Sequence, residues 1–360
     1  MKNILYILSN LKEDGGQTVV CTLLKELNNE QYKVKLLVMD LPVKNKLTDL
    51  LQKNNIEFEF CSVKPAKGIY RLYRLYKVVK WINERITAFS ADIVHVHLEI
   101  LYSWLWALKY KRKIIFTVHS AAQRYDVITS ILFKLLKKKK LISVTCVSKT
   151  TAAQFEKAFK VSDVKVIYNP VNLEHFQRKS SREEKNEIIF VNVARFHPIK
   201  NHKLLIEAWD ILSRKLTNIK LILVGDGTER IQMQRMIEQK ELIASVELLG
   251  EINDVASILK NADAFVLSSL SEALPVSVIE AMAAGLPIIS TNVGGLQELV
   301  TDNGILVESN NVLQLMEAMK ELADNTTERV RMGELSEEYA EKFGVHKIVT
   351  QYEEIYSMTD

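Results

Sequence analysis

The sequence has little of what marks small secreted, membrane-spanning or disordered proteins. Its 360 residues contain three cysteines, six prolines and 12 glycines. Cys21, Cys61 and Cys146 are scattered on apolar segments and odd in number, so we expect buried thiols in a reducing, cytoplasmic compartment. No uncharged apolar run reaches the roughly 18 residues that a membrane-spanning helix requires, and the apolar run at the N-terminus is too short for a signal peptide.

The composition that remains is that of an ordinary globular protein, 48% hydrophobic and 26% charged, at a length that predicts two domains. The net charge of +4 conceals an asymmetry. Residues 1–170 hold 29 Lys and Arg against 14 Asp and Glu, whereas residues 171–360 hold 19 against 30. A basic half joined to an acidic half indicates that one half meets an anionic surface.

Short apolar runs alternate with helical stretches along both halves. Strands are predicted at 3–8, 33–38, 57–60, 93–97, 113–118, 141–147 and 164–168, and again at 188–194, 221–224, 246–249, 264–267, 288–291 and 304–307. This alternation predicts an α/β protein with two doubly wound, Rossmann-like domains. We place an N-terminal domain at 1–172, a C-terminal domain at 186–342 and a last helix at 343–360, with the polar residues 178–185 as the linker region.

The most informative stretch begins at the apolar run 264–267, which is typical of a buried parallel strand. A helix is predicted after it and ends at Gly285, because Pro287 follows closely. Pro275 suits the first helical turn, where its missing N–H would be unpaired anyway. Ser277 is a candidate cap for this helix.

Two carboxylates follow that strand at a fixed spacing. Glu272 is predicted in the loop beyond its carboxyl end, and Glu280 early in the next helix. The free N–H groups of 276–278 are expected in the same crevice, where open α/β sheets bind ligands and helix N-termini bind phosphate. Either carboxylate alone would be interpreted as a solvated surface group. Together with Gly294-Gly295 and the basic loop of the same half, they favour a binding site.

Arg195 and Lys200 make up that basic loop, at the carboxyl end of the strand 188–194. Arginine can bind a phosphate through two hydrogen bonds, and lysine adds a point charge. Two cations in one loop are common on protein surfaces. The loop is therefore interpreted as a phosphate-binding site only in combination with Glu272 and Glu280. Gly225 and Gly227 lack the third glycine of a dinucleotide fingerprint, so NAD is not expected.

Three further positions are candidates for ligand contact. His119 follows the strand 113–118 and is predicted at its carboxyl edge. Gly15-Gly16 would let the backbone approach a phosphate or sugar, with a flexible turn as the alternative. Gly250-Glu251 forms a turn whose backbone could contact a base.

No metal site is predicted from the histidines. His95, His97 and His119 have no carboxylate at a spacing typical of metal ligands. His95 is interpreted as a buried structural residue. The sequence also contains no Asp-x-Asp motif.

Two basic helical stretches, 70–86 and 131–140, contain interleaved aromatic or aliphatic residues. Such helices suit an anionic membrane surface, and ordinary packed helices with solvated lysines are an equal alternative. Nucleic acid is disfavoured as a partner, since no recognised nucleic-acid module is present.

With these motifs placed, the chain resembles the retaining glycosyltransferases of family four, which have the GT-B fold with two domains facing a cleft. The resemblance rests on Glu-x7-Glu from Glu272 to Glu280, on the segment from Val193 to Asn201, and on 167–172. It implies a nucleotide-sugar substrate, with a UDP-sugar favoured and no cofactor, and metal-independent transfer. It also implies a glycan or lipid-linked acceptor in bacterial-type surface polysaccharide synthesis, at the inner face of the membrane. The last helix is expected to cross back to the first domain.

The resemblance also assigns roles to individual residues. Arg195 and Lys200 would hold the donor diphosphate, Glu280 the ribose hydroxyls and Glu272 the donor sugar, with His119 beside that sugar and Gly16 closing over it. The implied catalytic residues are His119, Glu272, Arg195 and Lys200, and the implied donor-binding residues are Gly15, Gly16, Arg195, Lys200, Gly250, Glu251, Leu274, Pro275, Val276, Ser277 and Glu280. Whether Glu272 is a nucleophile or holds the sugar stays open, with holding favoured. A nucleotide-sugar epimerase of the same fold and a non-catalytic binding subunit are the alternatives.

Overall fold

The structure, a computed structural model, describes residues 1–27, 29–64, 70–120, 127–178 and 187–358. Contacts divide the chain into two compact units, residues 1–170 with 345–360 (unit 1) and residues 171–344 (unit 2). The N-terminal domain was expected to end at 172 and the C-terminal domain at 342, each within two residues of these bounds. The expected linker at 178–185 does not separate the units, because the chain enters unit 2 at Val171; its residues 179–185 lie outside the described residues.

Unit 1 alternates strands and helices along the described chain. Its strands are β1 (Lys2–Leu8), β2 (Tyr32–Val38), β3 (Glu57–Phe60), β4 (Ile93–His97), β5 (Ile114–Val118), β6 (Ile142–Cys146) and β7 (Lys165–Val166). Its helices are α1 (Gly15–Leu27), α2 (Lys46–Lys53), α3 (Tyr70–Phe89), α4 (Leu101–Tyr110), α5 (Val127–Lys138) and α6 (Lys149–Phe159), to which the last helix of the chain is added.

Unit 2 repeats the alternation. Its strands are β8 (Ile188–Val193), β9 (Ile219–Val224), β10 (Val246–Gly250), β11 (Ala264–Leu267), β12 (Ile288–Thr291) and β13 (Gly304–Val307). Its helices are α7 (Leu173–Phe176), α8 (His202–Ser213), α9 (Arg230–Gln239), α10 (Val255–Asn261), α11 (Val276–Ala283), α12 (Val312–Asp324) and α13 (Thr326–Ala340), and α14 (Val345–Ser357) returns to unit 1.

Both sheets are parallel and doubly wound, which confirms the predicted α/β class. The strand order is β3-β2-β1-β4-β5-β6-β7 in unit 1 and β10-β9-β8-β11-β12-β13 in unit 2. The order reverses between β1 and β4 and between β8 and β11. Open α/β sheets bind ligands at the carboxyl ends of the strands beside such a switch point. The topology therefore marks one candidate edge in each unit.

The helix α14 belongs to unit 1 because of its own apolar face. Ile348, Tyr352 and Tyr356 recur at four-residue spacing and are buried. The hydroxyl of Tyr356 lies 2.7 Å from His95 Nδ1 and 2.6 Å from the hydroxyl of Tyr6. These bonds attach α14 to the central strands β1 and β4.

Several local predictions were wrong at element ends. Gly15 and Gly16 open the helix α1 and do not form a loop before it. Pro275 is the N-cap of α11, with ψ of 121°, so Ser277 is the second residue of the helix and does not cap it. The strand expected at 164–168 is the short β7. The three cysteines are buried and unpaired, as expected. Within the described ranges, no helix has the length and apolar composition needed to cross a membrane.

Candidate functional site

In unit 2 the loops after β8 and β11 are tied together beside the switch point. Ser268 Oγ donates to the carbonyl oxygens of Lys200 and Asn201, at 3.0 Å each. The N–H of Leu270 donates to the carbonyl of Ile199 at 2.7 Å. Asn201 ends a short 3-10 turn in the left-handed conformation, with φ of 49°. These contacts fix the position of Lys200 relative to the loop that follows β11.

Lys200 and Glu272 form the central contact of this loop pair. Lys200 Nζ donates to Glu272 Oε1 at 2.6 Å, and Ser269 Oγ donates to the same oxygen at 2.6 Å. The Glu272 side chain is only 9% exposed, against 23% for Lys200. A solvated carboxylate, the alternative considered above, is therefore wrong for Glu272. Its second oxygen, Oε2, accepts no hydrogen bond from the described residues, which leaves it available to a ligand.

A glycine turn supports Glu272 from behind. Gly294 has φ of 55°, and a Cβ built on it would lie 1.8 Å from the carbonyl oxygen of Glu272. The N–H of Gly295 donates to that same carbonyl at 3.2 Å. Only glycine permits this approach without a backbone shift. The Gly294-Gly295 pair therefore fixes the position of the loop that carries Glu272, and a side chain at residue 294 would displace that loop.

The helix α11 begins directly after this loop. The N–H of Val278 donates to Pro275 O at 3.2 Å, so the expectation that it is free was wrong. The N–H groups of Val276 and Ser277 have no acceptor among the described residues. Glu280 lies in the same helix and is half-buried. Burial raises the pKa of its carboxyl from 4.5 to about 7.

The other expected donor-binding positions of unit 2 are spread along the same edge. Arg195 is exposed on the loop after β8. No described contact joins it to Lys200 or Glu272. Gly250 ends β10 with φ of 70°, and its carbonyl accepts from the N–H of Gly225 at 2.8 Å. Glu251 is exposed, whereas Leu274 and Pro275 are buried.

In unit 1, His119 follows β5 at the carboxyl edge of the sheet and is half-buried. A Cβ built on Gly16 would lie 3.8 Å from the Cγ of His119 and 3.1 Å from Leu98 Cδ1. The start of α1 therefore lies close to the His119 ring. The structure brings Gly16 and His119 together, as it brings Lys200 and Glu272 together.

His119 has a partner that the sequence analysis did not identify. His97, at the end of β4, is fully buried, and its Nδ1 lies 2.7 Å from His119 Nε2. Burial lowers the pKa of His97 well below its ordinary value, and that of His119 to about 4. Both imidazoles are therefore neutral near pH 7. The signal was present in the sequence, because His95 and His97 stand on one face of a predicted strand and His119 directly follows the next predicted strand.

Ser269 and Ser268 were also missed as supports of the charged pair. They lie where β11 ends, and Ser269 stands three residues before Glu272. The backbone of Ser269 is in turn held by Thr291 Oγ1, which donates to its carbonyl at 2.6 Å. The sequence signal for both was a pair of serines at the end of a predicted strand, a few residues before a candidate carboxylate.

Sequence comparison places this architecture in a known family. Residues 174–339 match the family described as Glycosyl transferases group 1, and residues 14–175 match Glycosyltransferase Family 4. An uncharacterised glycosyltransferase of Methanocaldococcus jannaschii is 32% identical over 84% of this chain and 85% of its own length. The chain belongs to the glycosyltransferases of family 4, as the motifs predicted.

Other relatives agree with this assignment. The UDP-Gal:alpha-D-GlcNAc-diphosphoundecaprenol alpha-1,3-galactosyltransferase of Escherichia coli is 27% identical over 95% of this chain and 93% of its own. An uncharacterised glycosyltransferase of Haemophilus influenzae is 28% identical, and the match covers 60% of each chain.

Two solved structures share the fold. A glycosyltransferase from Rickettsia africae superposes with a TM-score of 0.85 at 20% identity, over 99% of this chain and 98% of that one. Anabaena HepE in complex with UDP superposes with a TM-score of 0.81 at 19% identity, over 99% and 100%. These likenesses confirm the GT-B fold.

Proposed function

We propose that the protein is a retaining glycosyltransferase that moves a sugar from a UDP-sugar to a lipid-linked or glycan acceptor in surface polysaccharide synthesis. The observation that carries the proposal is the contact of Lys200 with the buried carboxylate of Glu272, beside the open N-terminus of α11. A nucleotide sugar departs as a diphosphate, so negative charge grows there in the transition state. Fixed positive charge and free helix N–H groups stabilise such charge.

The candidate site residues of unit 2 have the following roles in this proposal. Lys200 and Arg195 bind the diphosphate, and the N–H groups of Val276 and Ser277 approach its oxygens. Glu280 accepts hydrogen bonds from the ribose hydroxyls, and the turn at Gly250-Glu251 contacts the base. The relatives that bind UDP or use a UDP-sugar support uracil as that base.

Glu272 is proposed to hold the donor sugar and not to attack it. Lys200 and Ser269 both bond to Oε1, which lowers the electron density available for nucleophilic attack. Oε2 then accepts from a sugar hydroxyl. The acceptor attacks from the side of the leaving diphosphate, so the anomeric configuration is retained.

A lipid-linked acceptor is supported by the exposed side chains at the beginnings of α3 and α5. Four large residues of α3 are more than half exposed, Tyr70, Leu72, Tyr73 and Tyr76, as are three of α5, Val127, Ile128 and Ile131. The helix α4 packs against both α3 and α5. Helices that follow parallel strands begin at the carboxyl edge of the sheet, so the first turns of α3 and α5 lie towards the edge that carries His119.

The basic residues of the two helices are distributed unequally. Arg71 and Lys77 are exposed near the start of α3 among its aromatic residues, whereas Lys137 to Lys140 lie at the far end of α5. Twelve helical residues span about 18 Å. We propose that the first turns of α3, and not the lysine run, meet an anionic membrane. Sedimentation with anionic vesicles should weaken for Arg71→Ser/Lys77→Ser and in high salt; for Lys138→Ser/Lys139→Ser it should change less, and equal losses would contradict the proposal.

The transferase is tested by release of UDP from a panel of UDP-sugars, with and without undecaprenyl-diphosphate-linked sugar as acceptor. We expect release that depends on the acceptor and persists in EDTA, because the chain itself supplies the cations. An altered sugar still attached to UDP would instead indicate an epimerase. Tight binding of UDP-sugar with neither transfer nor slow hydrolysis would indicate a binding subunit.

A further inference from the structure

The His97–His119 pair leaves two buried nitrogens unpaired. The bond joins His97 Nδ1 to His119 Nε2 at 2.7 Å across the neighbouring strands β4 and β5. His97 Nε2 and His119 Nδ1 are buried, and neither has a hydrogen-bond partner among the described residues. Buried polar atoms are nearly always paired, so an unpaired one indicates strain, a function or an absent ligand.

Counting protons restricts the pair to two arrangements. Since both imidazoles are neutral, each ring carries one N–H. One N–H lies in the bond between the rings, and the other lies on an outer nitrogen. If His97 donates in the shared bond, the outer N–H is on His119 Nδ1. If His119 donates, the outer N–H is on His97 Nε2.

The surroundings of His97 favour the first arrangement. Its ring is fully buried, stacks on Tyr6 with centroids 5.3 Å apart and planes at 14°, and lies 4.1 Å from the His95 ring. Both nitrogens of His95 are already paired, with Tyr356 and Thr117. In either arrangement the outer N–H has no acceptor among the described residues. Because His97 is fully buried whereas His119 is half-buried at the edge of the sheet, only an N–H on His119 Nδ1 lies where a ligand could pair it.

We propose that His97 is a positioning residue: its Nδ1–H donates to His119 Nε2 and fixes His119 as the tautomer with its proton on Nδ1. His119 is then a hydrogen-bond donor and not a general base, because His97 occupies its only basic nitrogen. Gly16 packs against the Cγ to which this Nδ1 is attached. A ligand oxygen that displaces the atoms now covering Nδ1 would pair it. The acceptor we assign, an oxygen of the transferred sugar, rests on the proposed function.

The tautomer can be measured without any substrate. The protein is labelled with ¹⁵N in its seven histidines, and long-range ¹H–¹⁵N correlation spectra are recorded near pH 7. His119→Gln and His95→Gln variants assign the signals. We expect a protonated Nδ1 and an unprotonated Nε2 for His119. The opposite pattern, or a doubly protonated ring, would overturn the proposal whether or not the protein transfers sugar.

Two substitutions of His97 separate positioning from packing. In His97→Asn the amide N–H lies near the position of Nδ1 and can donate, whereas in His97→Asp a carboxylate can only accept. We expect Asn to preserve the His119 tautomer and kcat/KM for UDP release, and Asp to move the proton to His119 Nε2 and lower kcat/KM by about 10- to 100-fold.

The outcomes of these variants are distinguishable. Equal kcat/KM in the Asn and Asp variants, with both folded by circular dichroism, would show that donation by residue 97 does not matter. If no UDP-sugar is turned over by the wild type, the proposed function fails, while the ¹⁵N spectra still decide the tautomer of His119.

Discussion

The two units place different chemistry at equivalent positions, the carboxyl ends of strands beside a switch point. In unit 2 the central contact is a charged pair, Lys200 and Glu272 at 2.6 Å. In unit 1 it is a neutral pair, His97 and His119 at 2.7 Å. Burial lowers the pKa of both imidazoles and so favours their neutral forms, whereas in unit 2 a cationic side chain lies directly against an anionic one.

Under the proposed function, this difference corresponds to a division of labour. A charged pair with adjacent helix N–H groups would suit an anionic diphosphate, whereas a neutral donor would suit a sugar hydroxyl. Variants of the charged pair should therefore reduce the chemical step most strongly. Variants of unit 1 should have smaller effects on the placement of the sugar or on folding.

The largest effect is expected from breaking the charged pair. Lys200→Met and Glu272→Gln should each lower kcat/KM for UDP release by about 100- to 1000-fold, as for loss of a preorganised charge-stabilising group. The double variant should be little worse than either single one, because the two residues act through one contact. Steady-state kinetics with the best UDP-sugar of the panel provides the measurement.

A surface ion pair of the same unit is the matched control. Lys220 and Glu247 lie 2.7 Å apart on β9 and β10, with side chains 32% and 44% exposed. Lys220→Met and Glu247→Gln should leave kcat/KM near that of the wild type and change the free energy of unfolding by less than about 1 kcal/mol. Full activity in the Lys200 and Glu272 variants, or strictly additive losses, would remove the charged pair from the mechanism.

The next prediction compares the loss of stability caused by alanine at two glycines, one in each unit. Gly294→Ala should lower the free energy of unfolding by at least about 1–3 kcal/mol, because its Cβ would meet the carbonyl of Glu272 in a left-handed backbone. Gly16→Ala should cost much less, since its nearest neighbour is the movable end of Leu98 at 3.1 Å. Urea unfolding measures both. Similar losses would mean that the two edges are equally rigid.

Much of this architecture could be predicted from the sequence. Buried parallel strands are often continuous apolar runs, and β11 was predicted on that basis with the observed bounds. The bounds of β3 and β4 were also predicted correctly, from the alternation of strands and helices, and the strand–loop–helix order placed Glu272 beyond β11. The positions of Lys200 and Glu272 after two strands of one parallel sheet then put both residues at the same edge, because the loops after parallel strands lie at the carboxyl edge.

The remaining details depend on contacts between distant residues. The bond between His97 and His119 and the support of Glu272 by Ser269 and Gly294 require the register of neighbouring strands, which local patterns do not specify. The expectation that Gly15-Gly16 formed a loop was wrong, because packing against the sheet extends α1 over residues with poor helix propensity.

A smaller effect concerns the attachment of α14 to unit 1. Tyr356→Phe should lower the free energy of unfolding by about 1–3 kcal/mol, because it leaves His95 Nδ1 and the Tyr6 hydroxyl without this partner in the core. Tyr70→Phe, at a side chain 70% exposed, is the control and should have almost no effect. Thermal and urea unfolding compare the two, and equal stabilities would show that α14 is held by its apolar face alone.

The smallest effect is a pH dependence that differs in sign between the units. Burial raises the pKa of Glu280 from 4.5 to about 7, so between these values the folded chain holds a proton that the unfolded chain has lost. Stability from this group is therefore lost as the pH rises towards 7, whereas the lowered pKa of His119 causes loss as the pH falls below 6.5. Relative to the wild type, Glu280→Gln should gain about 1–3 kcal/mol between pH 4.5 and 7. Urea unfolding at several pH values measures this gain, and parallel stability curves would mean that Glu280 is solvated like a surface carboxylate.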